Sequence, residues 1–432
     1  MDQGRLVQFW EAKLRLLGVL LLLSGSLAAQ RPDPPRVYAI EGARIVPVSS
    51  AVIERGTIVL RDGLIEAVGP NVAKPADAWA ISGEGLTVYP GFIDARSTLG
   101  VPGPRPASGG KLSSGPQDRP ATTPWQRAAD IFEATDETIE RWRSGGFTSI
   151  AATPQQGLFP GQVSLLNLGR GRSEDQVVAP GVALAIRIPA ENEAYSGYPG
   201  ALLGRVAYVR QIFLDARTQQ QALAIYQDNP VGLERPTYDR TLTPLIEAIE
   251  SGMPALYPAN SAIEIRRALA LGAEKAAPKI AIYGAQQAYA DGVAAELAKA
   301  KTAALVDVSW PKAANDPDPE AEPSLRTLRL RKHAPSSPAA LAKAGVEFAF
   351  FGSKANNAEN LLDGIRKAVA AGLSEADALE ALTLSAARIY GVDDRLGSLE
   401  PGKIANLAVF AENPFQGKAK PKIVFIDGRR YE

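Results

Sequence analysis

Two short, largely apolar runs, Thr57-Ile58-Val59-Leu60-Arg61 and Leu64-Ile65-Glu66-Ala67-Val68, flank the pair Asp62-Gly63. Asp-Gly supplies the positive φ angles that a two-residue hairpin turn requires, so the spacing predicts two antiparallel strands. Residues 37–90 read as all-β on this pattern. The C-terminal end repeats the device: Lys422-Ile423-Val424-Phe425-Ile426 runs into Asp427-Gly428, and Arg429-Arg430-Tyr431 returns. Ile404–Phe410 is a further strand before it. Two β segments at opposite ends of the chain are most economically joined in one small sheet layer.

The middle of the chain changes period. Ile131, Thr135, Ile139 and Trp142 recur at helical spacing, which predicts a helix over Arg127–Arg143 that stops at Gly145-Gly146. Phe147–Ala151 then reads as a buried strand, and Ala207–Leu223 as a helix. Strand-like Ala255–Tyr257 precedes a helix over Ile263–Leu271, and Lys279–Tyr283 precedes one over Tyr289–Lys299. Leu305–Val308 and Val346–Phe351 continue the series, the latter followed by a helix over Asn360–Ala371. Apolar strands alternating with helices predict a parallel sheet covered by helices, and their number fits a closed barrel.

Two stretches break this rhythm. Val101–Thr123 is rich in Gly, Pro and Ser and reads as a long loop. Pro311–Pro338 is rich in Pro, Ala and charge, and also reads as a solvated loop. Its acids Asp316, Asp318, Glu320 and Glu322 lack the turn glycine of a calcium loop. Tyr195 and Tyr198, beside Pro199-Gly200, read as the cover of a helix start.

Composition narrows the function. Lys plus Arg and Asp plus Glu number 47 each, so no global field draws the chain to nucleic acid or an anionic membrane. At the N-terminus, Lys13 and Arg15 precede the apolar run Leu16–Leu23 and the small residues Ser24–Ala29. This is the pattern of a signal peptide over residues 1–29, and the run is shorter than the ~20 residues that span a bilayer. The expected location is secreted or periplasmic, with no membrane span in the mature chain. There is no cysteine, so no disulfide supports the fold, and His333 is the one histidine among 432 residues.

The segment Val88-Tyr89-Pro90-Gly91-Phe92-Ile93-Asp94-Ala95-Arg96-Ser97-Thr98 resembles the first barrel strand of the amidohydrolase superfamily, in its imidazolonepropionase-like branch. Gly56–Gly69, Ala381–Arg388 and Gly397–Leu407 resemble further family blocks, in the right order. The resemblance implies an α/β fold: a (β/α)8 TIM-like barrel over residues 91–395. A small β-sandwich built from the N- and C-terminal segments, 37–90 with 396–432, would flank it. It also implies one or two divalent metals such as zinc at the barrel mouth, held by two strand 1 histidines, histidines on strands 5 and 6, and an aspartate on strand 8. Such a metal lowers the pKa of bound water to about 7 and so supplies hydroxide.

This chain departs from that pattern at each position. Arg96 and Thr98 stand where the paired histidines belong. Pro258 falls near the strand 5 histidine, Gly284 near that of strand 6, and Lys354 or Ser353 where the aspartate belongs. A catalytic zinc takes three protein ligands, mostly histidine or cysteine, and one histidine cannot supply them. Asp94 reads as a structural residue holding the strand end, and Asp307 alone makes no site. The expectation is therefore a homologue without metal or catalytic residues, acting as a binding or partner subunit. The alternative is an active amidohydrolase that hydrolyses a non-peptide C–N bond of an amide or cyclic amide. Arg96 and Lys354, on strands that adjoin if the barrel closes, would either neutralise leftover carboxylates or receive an anionic small-molecule ligand. The expected partners are that ligand and a homo- or hetero-oligomer with an intact amidohydrolase, with no nucleic acid.

Overall fold

The computed structural model describes residues 36–103, 119, 121–188, 199–313 and 322–432. The expected leader 1–29, most of the 101–123 stretch, Tyr195, Tyr198, Asp316, Asp318 and Glu320 lie outside the described residues.

From residue 37 the chain lays down five strands of one sheet: β1 (Val37–Ile45), β2 (Ile53–Arg61), β3 (Leu64–Gly69), β4 (Trp79–Ser82) and β5 (Thr87–Pro90). The β2–β3 turn is the expected one, with Asp62 at φ 47° and Gly63 at φ 87°. Both central residues carry positive φ, which lets the turn follow the twist of the two strands. Glycine at the second position removes the steric cost of that conformation.

At Pro90-Gly91 the chain leaves this sheet and enters another. Gly91 N–H donates to the Asn406 carbonyl at 2.9 Å, and Phe92 N–H donates to the Gly146 carbonyl at 3.0 Å. A Cβ at position 91 would stand 2.1 Å from Thr148 Oγ1, so only glycine fits the crossing.

The second sheet runs in chain order through β6 (Phe92–Ser97), β7 (Phe147–Ala152), β8 (Gly161–Asn167), β9 (Val177–Ala185), β10 (Ala255–Ala259), β11 (Ile280–Gly284), β12 (Ala304–Asp307) and β13 (Phe348–Phe351). Neighbouring strands are parallel, except that β8 is antiparallel to both β7 and β9. This departs from the all-parallel arrangement expected of a (β/α)8 barrel. The reason is local, because only residues 153–160 separate β7 from β8. That length suits a hairpin-like return and cannot hold a crossover helix. The two edge strands, β6 and β13, lie beside each other.

Helices cover this sheet. They are α1 (Asp136–Arg143), α2 (Leu202–Asp228), α3 (Leu242–Glu250), α4 (Ala262–Gly272), α5 (Val293–Lys299), α6 (Leu325–His333), α7 (Ser337–Lys343), α8 (Ala358–Ala370), α9 (Glu375–Leu382) and α10 (Leu384–Ile389). The strands bury both faces, and side chains alternate between them. Ile93, Ala95, Ala151, Leu256, Ala281, Leu305 and Ala349 join one core cluster, into which Tyr390 is inserted. Tyr257, Ile282, Val306 and Phe350 face the other cluster, packed beneath the helices. Doubly buried strands need no polar face, which is why they read as continuous apolar runs.

The expected helix over Arg127–Arg143 is two pieces. Ala128–Ile131 is a single 3-10 turn, and α1 starts only after Thr135, whose side chain accepts from Thr138 N–H as an N-cap. Thr135 therefore starts the helix and does not sit on its buried face, while Ile139 and Trp142 are buried as expected. The stretch Pro311–Pro338 also differs from a plain loop. Ser324 caps α6, and prolines in the first turns of the next two elements sit where a missing N–H does no harm.

Strands β14 (Leu407–Phe410), β15 (Pro421–Ile426) and β16 (Arg429–Tyr431) return to the first sheet, in the order β16-β15-β14-β5-β1-β2-β3, with β4 paired to β1. Its core is Ile40, Ile45, Ile58, Leu60, Val88, Leu407, Val409 and Phe425. Strands from residues 37–90 and 407–431 thus build one sheet. Asn406 ties it to the other: its Nδ2 donates to Ser149 Oγ at 3.1 Å and Asn167 Oδ1 at 2.7 Å. Its Oδ1 accepts from Asp427 N–H at 2.8 Å.

Candidate functional site

The C-terminal ends of β6 and β10–β13 collect most of the positions singled out in the sequence. Arg96 lies at the end of β6, Pro258 in β10, Gly284 at the end of β11 and Asp307 at the end of β12. Backbone pairing sets Ala259 against Gly284 and Asp307 against Phe351, so these ends are level. Gly284 has φ 111°, a conformation that disfavours any side chain.

A cleft of about 1050 Å³ opens beside these ends. Helices α2 and α4 form its walls, through Leu202, Val206 and Leu214 on one side and Arg267 and Leu271 on the other. Its floor is Tyr257–Asn260, Tyr283, Gly284 and Asp307. Arg210 and Glu274 form an ion pair at 2.6 Å on its rim. Arg205 is buried in the wall, and its guanidinium donates to the carbonyls of Pro199 at 3.2 Å and Gly200 at 2.8 Å. Burial pushes the Tyr257 hydroxyl up to about 12, with the Glu264 charge adding to it, so Tyr257 stays a neutral phenol.

Pro258 and Gly284 line the cleft, and Arg96, Thr98 and Lys354 do not. Arg96 lies against Tyr283, which is part of the floor: the guanidinium carbon stands 4.2 Å from the Tyr283 ring centroid and 5.5 Å from that of Phe351. Thr98 and Lys354 are exposed. Lys354 N–H donates to Ser309 Oγ at 3.0 Å, which fixes its backbone.

One acid, Asp94, stands beside Arg96, and a second, Asp307, lies at the end of β12. Asp94 is 1% exposed, and its Oδ1 accepts from Arg96 N–H at 3.3 Å. Burial pushes this carboxyl up to about 7, against the opposing pull of its hydrogen bonds and of the Arg96 charge. Asp307 is held from three sides. Its Oδ1 accepts from Ser309 N–H at 2.9 Å and Ser353 N–H at 3.0 Å, and its Oδ2 from Ser353 Oγ at 2.5 Å. The buried Tyr390 hydroxyl donates to the Ala95 carbonyl, closing the floor under this corner.

His333 does not line the cleft. It ends α6 and stacks on Tyr289, with ring centroids 5.5 Å apart. The rings of Tyr283 and Phe351 are neighbours of Arg96 that the sequence did not single out. Their one signal was their place at the ends of alternating strands.

The profile of the Amidohydrolase family matches residues 297–431. An amidohydrolase structure from Thermotoga maritima superposes with a TM-score of 0.74 at 26% identity, covering 91% of this chain and 99% of that one. The chain belongs to the amidohydrolase superfamily. Among curated relatives, a dihydroorotase of Anaeromyxobacter sp. (strain K) is 39% identical over 67 residues, which is 16% of each chain. An N-acetylglucosamine-6-phosphate deacetylase of Haemophilus influenzae is 60% identical over 38 residues, 9% of this chain and 10% of that one. The chain thus matches well under a fifth of these relatives' length. A putative prolidase structure from Bifidobacterium longum shares the fold, with a TM-score of 0.56 at 20% identity and coverage of 92% of this chain and 95% of that one.

The divalent metal that the superfamily resemblance implies does not fit the donors present. Among the described residues, no three His, Cys, Asp or Glu side chains gather closely enough to hold an ion. Arginine has no lone pair to offer and does not deprotonate in proteins, so Arg96 cannot act as a ligand. The one carboxylate beside it, Asp94, is buried and driven towards its neutral form.

Proposed function

We propose that this amidohydrolase-superfamily protein binds and does not cleave. It serves as a ligand-binding or partner subunit, alone as a homo-oligomer or beside an intact amidohydrolase. The observation that carries the reading is Arg96, a permanent cation clamped by two aromatic rings where relatives are expected to place a histidine. A fixed positive charge in that place opposes entry of a dication by Coulomb repulsion, which is strong where water is excluded. Without the metal there is neither a hydroxide at neutral pH nor a polarised carbonyl.

The same reading takes residues 91–395 as a barrel of the (β/α)8 type with one reversed strand, supported by the nearness of β6 and β13. It takes 37–90 with 396–432 as a composite domain, supported by the shared first sheet. It takes the apolar run Leu16–Leu23 as part of a signal that sends the chain out of the cytoplasm.

A hydrolysis screen tests the central part. Purified protein would be offered linear amides, cyclic amides and acyl-proline dipeptides, with and without added zinc or manganese. No turnover above buffer is expected in either condition. Metal-dependent turnover of any of these would replace the reading with that of an active hydrolase of C–N bonds.

A further inference from the structure

We infer that Arg96 is the receptor for a carboxylate, and that this chain takes a small monocarboxylate with an apolar body at the ends of β6, β11 and β13. The inference rests on the binding reading above and adds the chemistry of the ligand.

The first ground is an unmet need. Arg96 Nε is shielded from solvent and has no hydrogen-bond partner. Its guanidinium makes no hydrogen bond or ion pair to any described residue; the hydrogen bond to Asp94 is made by the Arg96 backbone N–H. A shielded donor left unpaired is costly, and the half-buried side chain keeps the rest of its fork open to a ligand. The adjacent acid does not meet the need. Asp94 is turned to the Arg96 backbone and inclined towards the neutral form by its burial. Asp307 is committed to Ser309 and Ser353.

The second ground is preorganisation. With Tyr283 at 4.2 Å and Phe351 at 5.5 Å, aromatic rings fix the plane of the guanidinium and leave its donor edge to something else. Arginine stacked in this way keeps a rigid fork whose spacing matches the two oxygens of a carboxylate. The side chain is ordered in advance, so less entropy is lost when the anion arrives.

The third ground is the neighbouring space. Tyr283 belongs both to the ring pair that holds Arg96 and to the floor of the cleft. A ligand whose carboxylate meets Arg96 can lay its body on the Tyr283 side, among Leu202, Val206 and Leu271. One guanidinium balances one negative charge. A phosphate dianion would leave a charge poorly compensated here, since Lys354 and the cleft-wall Arg267 are both exposed and screened by salt.

Calorimetric titration of the full protein with matched pairs tests this: hexanoate against hexanamide, and benzoate against benzamide, with inorganic phosphate as a third probe. The acids should bind saturably and the amides at least about tenfold more weakly, as expected for loss of a charged hydrogen-bond pair. Arg96→Met should weaken acid binding to the level of the amides, Arg96→Lys should recover part of it, and Lys354→Met should change it little. Circular dichroism would establish that each variant folds. The comparison of acid with amide on the unaltered protein stands even if Arg96→Met does not fold. Equal binding of acid and amide, no saturable binding by either acid, phosphate binding more tightly than both acids, or an unchanged Arg96→Met would each overturn the inference. Binding is read here without turnover. Failure of Arg96 as receptor therefore leaves the non-catalytic reading intact, and turnover in the amide screen leaves the carboxylate measurement interpretable.

Discussion

Ser353 and Asp307 are joined twice: the Ser353 hydroxyl donates to Asp307 Oδ2 at 2.5 Å, and its backbone N–H donates to Oδ1 at 3.0 Å. With Ser309 N–H at 2.9 Å as a third donor, this carboxylate clamps the turn after β13 to the end of β12. Its lone pairs are used by its own neighbours. Asp307→Ala would free three donors at the strand ends and should destabilise the fold by about 1–3 kcal/mol. Ser353→Ala removes only one of the bonds and should cost less. Urea unfolding of both variants checks the order; a larger loss for Ser353→Ala would show that the clamp is not centred on the aspartate.

Burial of Asp94 makes the fold sensitive to pH in a defined direction. Its carboxyl is pushed from the ordinary 3.8 up to about 7 in the folded chain. Below the lower value it is protonated in both folded and unfolded chains, so it contributes no pH dependence. Between the two values the unfolded chain gives up its proton first, and stability falls as pH rises. Above about 7 both states are ionised and the loss levels off. The slope contributed by this one group cannot exceed ~1.4 kcal/mol per pH unit. Asp94→Asn should flatten the decline across that window. Thermal unfolding of the two proteins from pH 4 to 8 is the check, and parallel curves would contradict the assignment.

Gly91 sits where the chain passes from one sheet to the other. A methyl group there would meet Thr148 Oγ1 at 2.1 Å and Cγ2 at 2.3 Å. Gly91→Ala should therefore cost about 1–3 kcal/mol through overpacking. Adding Thr148→Ala removes the two nearest atoms, leaving Cβ at 2.7 Å, and should recover part of the loss. If the double variant is no more stable than Gly91→Ala alone, the crossing is limited by something other than the Thr148 Oγ1 and Cγ2 contacts.

These contacts also show what a sequence can and cannot disclose. Asp62-Gly63 and Asp427-Gly428 were legible as hairpin turns because their chemistry is local, and both adopt the expected positive φ angles. That the two turns touch was not legible: a Cβ on Gly428 would lie 2.8 Å from the Gly63 Cα. Strand β8 is not predicted from the sequence, and an apolar run with both faces buried would carry no sign of its reversed direction. The break before α1 escaped because Thr135 fits a helical spacing equally well as a cap. At the site, Arg96, Pro258 and Gly284 could be named from the sequence, and they lie at the ends of their strands. The stacking of Arg96 on Tyr283 and Phe351 could not, since it joins β6, β11 and β13 across 187 and 255 residues of chain (283 − 96 and 351 − 96).

Metal content is the most direct measure of the claim that arginine has taken the place of a dication. The protein would be produced with zinc and manganese in the medium, dialysed against chelator, and analysed for bound metal by mass spectrometry. A content far below one ion per chain is expected, unchanged in Arg96→Met. One tightly held zinc or manganese per chain that survives the chelator would contradict it.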